Sequence, residues 1–336
     1  MIRVLVAAGV ALVVSLAIGP RFIEFLRRNE FGQHIREEGP KHHFAKQGTP
    51  TMGGLLILFA AAVGFLPVSH YRLQALTVLF TAIACGAIGF LDDWISLTHS
   101  RSLGLSGRWK LVLLAVVTAV VGVVAHHLHL STNVYIPVVD VSVPLSYAWY
   151  PFLYLLISGG SNGTNLADGI DGLLAGTAII SLFTFTAMNV VSYVRSGRVP
   201  ADRNVTKLDL AIVGAALIGA AVGFLWFNAF PAEMIMGDTG SMAFGGALAA
   251  FAIMMKVEVL LILIGGIFVI EALSVMIQVF AFKRFGRRVF LMAPIHHHFE
   301  MKAWSETKIM VRFWIVAGLL CAAGFAFYYR YYFAQI

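Results

Sequence analysis

The chain has 336 residues, of which 59% are hydrophobic and 12% charged, and its mean hydropathy is +0.84. That composition excludes a soluble domain and describes an integral membrane protein. The formal net charge of +7 comes from Lys and Arg that flank apolar runs, where such residues orient membrane spans, so nucleic acid is excluded as a partner.

A transmembrane helix needs about 20 mostly apolar residues. Ten such runs occur, at roughly 2–26, 51–69, 74–91, 109–128, 147–164, 172–194, 208–228, 240–255, 258–282 and 309–329. The first follows Arg3 and lacks a small-residue cleavage site, so it reads as a retained helix. Cys85 and Cys321 lie inside apolar runs and read as packing thiols, with no disulfide implied. Three polar segments hold most of the Lys and Arg: 27–50, 92–110 and 283–312. The positive-inside rule places them in the cytoplasm.

With ten spans, both termini are then external and five loops are cytoplasmic, near 27–50, 92–108, 158–171, 228–239 and 283–308. Among the external connections, 129–146 contains β-branched alternation from Val134 to Val143 and predicts a small hairpin. The connection at 195–207 carries Arg195, Arg198, Arg203 and Lys207 and runs against the orientation rule. Gly265-Gly266, inside the ninth run, is read as a close-packing site in preference to a bend. No internal repeat or linker divides the chain, so residues 1–336 form one domain.

The cytoplasmic loops carry the chemistry-bearing residues. Asp92 and Asp93 are adjacent carboxylates at the end of the third run; their mutual repulsion calls for a cation, and Mg²⁺ takes oxygen ligands together with phosphate. Asn165, Asp168 and Asp171 recur at intervals of three, a spacing that on a helix shares one face. Asp168 and Asp171 also suit the first turn of a helix beginning near Gly172. Asn228, Glu233 and Asp238 follow in the fourth loop, where Gly237 and Gly240 permit close backbone approach to a ligand and Asp238 could cap the next helix.

In the fifth loop, His296, His297 and His298 are consecutive and cannot all face one metal from a helix, so phosphate or sugar binding is preferred. Lys46 with Gly48-Thr-Pro-Thr-Met-Gly-Gly54 lacks P-loop spacing but offers a cation, hydroxyls and amides to an anion. Carboxylates for a divalent cation and cations for phosphates, at a membrane surface, describe phosphoryl transfer.

Those segments, with Asn165-Leu-Ala-Asp-Gly-Ile-Asp-Gly-Leu173, Phe227-Asn-Ala-Phe-Pro-Ala-Glu233, Met236-Gly-Asp238 and His296-His-His-Phe-Glu300, resemble the phospho-N-acetylmuramoyl-pentapeptide transferase family between about Lys41 and Lys308. The resemblance implies an all-α integral membrane protein of ten spans in the bacterial inner membrane, external termini, Mg²⁺ and a homodimer. It also implies transfer of phospho-MurNAc-pentapeptide from its UDP carrier to undecaprenyl phosphate. Carried over by position, Asp238 is the main metal ligand with Asn165 as the second, and Asp92 and Asp93 bind the metal or lipid phosphate, Asp92 serving as base. Asp171, Lys46 and the backbone at Gly169 and Ile170 match the uracil pocket. Thr51, Asn165, Asp168 and Asn228 match the ribose and phosphate side, and Gln278, Ala293, His296 and His297 the nucleotide's far end.

Two positions depart from the family pattern. Ile235 stands where an aromatic ring often stacks on uracil, and Ser96 where a Lys often follows the acidic pair, a cation that Arg108 or Lys110 would replace. The alternatives are a sibling polyprenyl-phosphate sugar-phosphate transferase, against which the triple-His loop argues, and an ion-coupled transporter. A transporter would hold its acids at mid-span across a repeat interface, whereas here they cluster at span ends.

Overall fold

The computed structural model describes residues 1–29, 31–32, 48–98 and 104–332. Helices form over every apolar run. They are α1 (Ile2–Arg28), α2 (Gly54–Phe65), α3 (Leu73–Thr98), α4 (Gly107–His127), α5 (Trp149–Leu166), α6 (Leu173–Arg195), α7 (Val205–Asn228), α8 (Gly237–Met255), α9 (Leu261–Ile264), α10 (Gly266–Phe285), the short α11 (Ile295–Glu300) and α12 (Glu306–Phe327). Between α4 and α5, strands β1 (Asn133–Ile136) and β2 (Val141–Pro144) pair antiparallel, with Val134 opposite Val143. The expected hairpin is therefore present.

Eight of these helices are long and apolar enough to cross a membrane. The two other expected spans differ for local reasons. The α2 helix has only 12 residues, and the 18 residues of α5 end in the polar stretch Ser158–Asn165. The ninth run is broken: a 3₁₀ turn and α9 stop at Gly265 before α10 begins. Gly265-Gly266 is thus a break in the helix as well as a packing site, where a Cβ at Gly266 would press on Leu320.

At the centre stands α8, every residue of which from Thr239 to Met255 is buried. It packs against α2, α3 and α5, while α7 lies against α1, α2 and α6. Large apolar side chains face outward on the periphery, among them Val13, Phe59, Leu155, Phe183, Trp226, Phe280 and Leu319. In water that surface would drive association; around a multi-pass bundle it is the lipid-facing wall.

The first and last described residues lie at one end of the bundle. Arg3 donates to the Val68 carbonyl, while Ser69 and the His70 and Arg72 amides bond the carboxylate of Asp209 near the start of α7. Tyr328 meets Ser192 at the end of α6, and Tyr332 donates to Tyr135 in β1. The segments at 92–98, 104–106, 165–172, 228–237 and 285–305 gather at the opposite end, where the site is built.

Candidate active site

The acidic pair ends α3 beside the start of α8. Close approach is possible because residue 89 is glycine: a Cβ there would collide with the Asp238 carbonyl. Asp93 accepts the amides of Asp238 and Thr239, each at 3.0 Å, and the Thr239 hydroxyl at 2.7 Å. The first turn of α8 is therefore capped by a carboxylate from α3, and its own N-cap residue, Met236, supplies no side-chain bond. Asp238, which sequence spacing offered as a cap, instead lies inside that turn and directs its carboxylate to Lys110.

Lys110 Nζ sits 2.7 Å from Asp238 Oδ2 and 3.1 Å from Asp92 Oδ2. The remaining Asp92 oxygen accepts the Leu105 amide. Of the two cations that could replace the one missing at Ser96, Lys110 reaches the acids, whereas Arg108 is exposed on the first turn of α4.

The expected single helical face for Asn165, Asp168 and Asp171 does not form. The α5 helix ends at Leu166 and turns follow, because Gly169 and Gly172 interrupt the chain and Gly172 takes a left-handed φ of 75°. The N-cap position of α6 falls on Gly172, whose amide is accepted by Asn228 Oδ1. Each polar residue points elsewhere. Asn165 Nδ2 donates to Ser241 Oγ at 3.0 Å, and Ser241 in turn donates to the Asp238 carbonyl. Asp171 accepts the Ala232 amide at 3.0 Å.

Asn228 accepts the Gly172 amide and donates to the Met234 carbonyl, binding the two loops together from a buried position. Ile170 packs with Leu173, Ile267, Ile309 and Phe313, so its side chain anchors the turn in the core. Asp168 remains between the acids: loss of hydration, then the charges of Asp238, Asp93 and Asp171, push its carboxyl up to about 8 against the opposing pull of the Gly237 amide.

The segment before α2 closes the site. Ile235 donates its amide to Pro50, and Gly53 and Gly54 donate to Ile235 and Met236. Gly237 takes a φ of 73°, and a Cβ there would lie 2.7 Å from Asp93 Oδ2 and 2.9 Å from Thr51 Oγ1. The Thr51 hydroxyl thus stands at the acid cluster. Ile235 is buried at 8% exposure. Lys46 lies outside the described residues.

In the fifth loop, Gln278 is committed to the backbone: it donates to the Phe290 carbonyl and accepts the Val289 and Phe290 amides. Ala293 leads through a cis bond to Pro294 and α11. His296, His297 and Glu300 bring ligand atoms within 4.8 Å of one another, with His297 Nδ1 on Glu300. His298 turns away to accept the Leu291 amide, as consecutive helical positions require. His296 is buried against Gly169, where a Cβ would strike its Nε2. Its Nδ1 meets Glu271 of α10, a residue that sequence reasoning passed over. The available signal was a lone acid inside an apolar run, which is costly unless it serves a purpose.

An all-helical membrane bundle with carboxylates, a lysine and histidines converging at one end defines a membrane-embedded phosphoryl-transfer enzyme as the class. The model for glycosyl transferase family 4 matches residues 75–256, and phospho-N-acetylmuramoyl-pentapeptide-transferase signature 1 matches residues 46–58. Phospho-N-acetylmuramoyl-pentapeptide-transferases are similar over nearly the whole chain. That of Rubrobacter xylanophilus is 43% identical over 100% of both chains, that of Frankia alni 46% over 97% of both, and that of Bacillus velezensis 44% over 92% of both. The chain belongs to the phospho-N-acetylmuramoyl-pentapeptide transferase family.

Proposed function

We propose that the enzyme transfers phospho-MurNAc-pentapeptide from UDP-MurNAc-pentapeptide to undecaprenyl phosphate, giving lipid I and UMP. The site faces the cytoplasm of the bacterial inner membrane, both termini are external, and the enzyme works as a homodimer. The observation that carries this reading is the single cluster formed by Asp92, Asp93, Asp168 and Asp238 with Lys110 at the end of the spans.

The donor set fits Mg²⁺. Its atoms are carboxylate and amide oxygens, which suit a hard cation, and burial together with the neighbouring charges of Asp238, Asp93 and Asp171 raises Asp168, the crowding of acids that a bound cation would relieve. Asp238 and Asp92 would hold the ion with Asn165 beside them, while both oxygens of Asp93 serve α8. Bound there, the ion would offset the charge of the diphosphate.

The chain's own residues do the rest. Lys110 presents an ammonium to the phosphates, and Asp92, 3.1 Å from Lys110 Nζ, takes any proton still carried by the lipid phosphate. A lipid phosphate oxygen then attacks the phosphorus bonded to MurNAc, and the bond to UMP breaks. Asp171 and the Gly169–Ile170 backbone wall the nucleotide side, and the buried Ile235 gives uracil an apolar contact. Purified protein with Mg²⁺, undecaprenyl phosphate and UDP-MurNAc-pentapeptide should release UMP, and Asp238→Asn should abolish release. No UMP from the wild type refutes the proposal, and UMP from UDP-GlcNAc alone redirects it to the sibling transferases.

A further inference from the structure

Glu271 lies in α10 with no exposed side-chain surface. A buried carboxylate in an apolar helix loses several kcal/mol of hydration unless its oxygens are satisfied. Both are: Oε1 meets His296 Nδ1 at 3.1 Å and Oε2 accepts the Ile295 amide at 2.9 Å. A carboxylate only accepts hydrogen bonds, so Nδ1 carries the proton and the ring is held at one edge. The opposite edge is different. His296 Nε2 is buried and has no partner among the described residues, and it lies against Gly169, between the His loop and the Asp168–Asp171 wall. Buried polar atoms are nearly always bonded, so an open Nε2 beside a substrate wall points to a ligand atom.

We propose that Glu271 is a positioning residue for transfer: it fixes the tautomer and orientation of His296 so that the unprotonated Nε2 accepts a hydrogen bond from a hydroxyl of the UDP-linked substrate. Gly169 completes the device, because any side chain there would displace the ring. The proposal rests on the transfer reaction above, and its test separates the two. UMP release is measured for the wild type, Glu271→Gln, His296→Ala and the double variant, with thermal unfolding as a folding control.

If Glu271 acts through His296, Glu271→Gln lowers kcat/KM by about tenfold or more alone but by less than about twofold when His296 is already Ala, the non-additivity expected of coupled groups. An equal fold-loss in both backgrounds overturns the proposal and leaves Glu271 as an anchor of α11. Gly169→Ala should reproduce the His296→Ala loss without touching Glu271. The ring can also be read without activity. In ¹⁵N-histidine-labelled wild type, the resonance missing from His296→Ala should show the Nδ1-protonated form, and an Nε2-protonated neutral ring overturns the proposal even if no UMP is formed.

Discussion

Asp93 distinguishes a helix cap from a metal ligand. Its carboxylate takes three hydrogen bonds from the first turn of α8. Loss of a helix cap costs about 1 kcal/mol and bonds to a charged acceptor about 1.5–3 kcal/mol each, without full additivity. Asp93→Ala should therefore destabilise the protein by about 2–4 kcal/mol. An unfolding entropy of about 2.1 cal/mol/K per residue over 336 residues converts this to a fall in Tm of roughly 3–6 °C. The assay pairs thermal unfolding in detergent with Mg²⁺ titration of UMP release.

The expected pattern is a lower Tm and lower kcat, because Asp238 rides on the turn that Asp93 holds. Asp93→Asn, which keeps one acceptor oxygen, should show a smaller fall in Tm and shift the Mg²⁺ needed for half-maximal rate by less than about threefold. An unchanged Tm with a rise of tenfold or more in that concentration would refute the reasoning and return Asp93 to the metal.

Lys110→Ala leaves Asp92 and Asp238 without their shared ammonium, and should lower kcat by about tenfold or more, since charge-assisted bonds carry about 1.5–3 kcal/mol. Arg108→Ala, on an exposed turn, should stay within about twofold of wild type; full activity in both variants removes Lys110 from the site. Ile235→Phe should lower KM for the UDP-linked substrate by about threefold or more, the scale of one base stacked on a ring, with kcat unchanged; an unchanged KM refutes stacking.

The Asp168 carboxyl also gives a pH signature in protein stripped of metal by EDTA. Its ordinary value of 3.8 applies to the unfolded chain and about 8 to the folded one, so between those limits only the folded state keeps the proton. Stability is greatest below that window, falls as pH rises by at most about 1.4 kcal/mol per unit, and levels off above about 8. Thermal unfolding of Asp168→Asn should lack this component, and an identical profile in both proteins would refute it.

The linear chain was enough to locate the helices, the hairpin and the polar loops, because apolar runs of span length and β-branched alternation are local signals. It also supplied Asp92, Asp93, Asp168 and Asp238 as a set, since carboxylates beside apolar runs are conspicuous in any reading. Their division of labour was not legible. Asp93 meets Asp238 across 145 positions and Lys110 meets it across 128, so neither partnership leaves a trace in local spacing.

The same holds for Glu271 and His296, and for the helical face that Asn165, Asp168 and Asp171 failed to share once Gly169 and Gly172 turned the chain. Residue types and periodicity determine which segments become helices and which groups are available. Which carboxylate caps, which faces a cation and which orients a ring is decided by how closely the helices pack, and here that closeness depends on the missing side chain at Gly89.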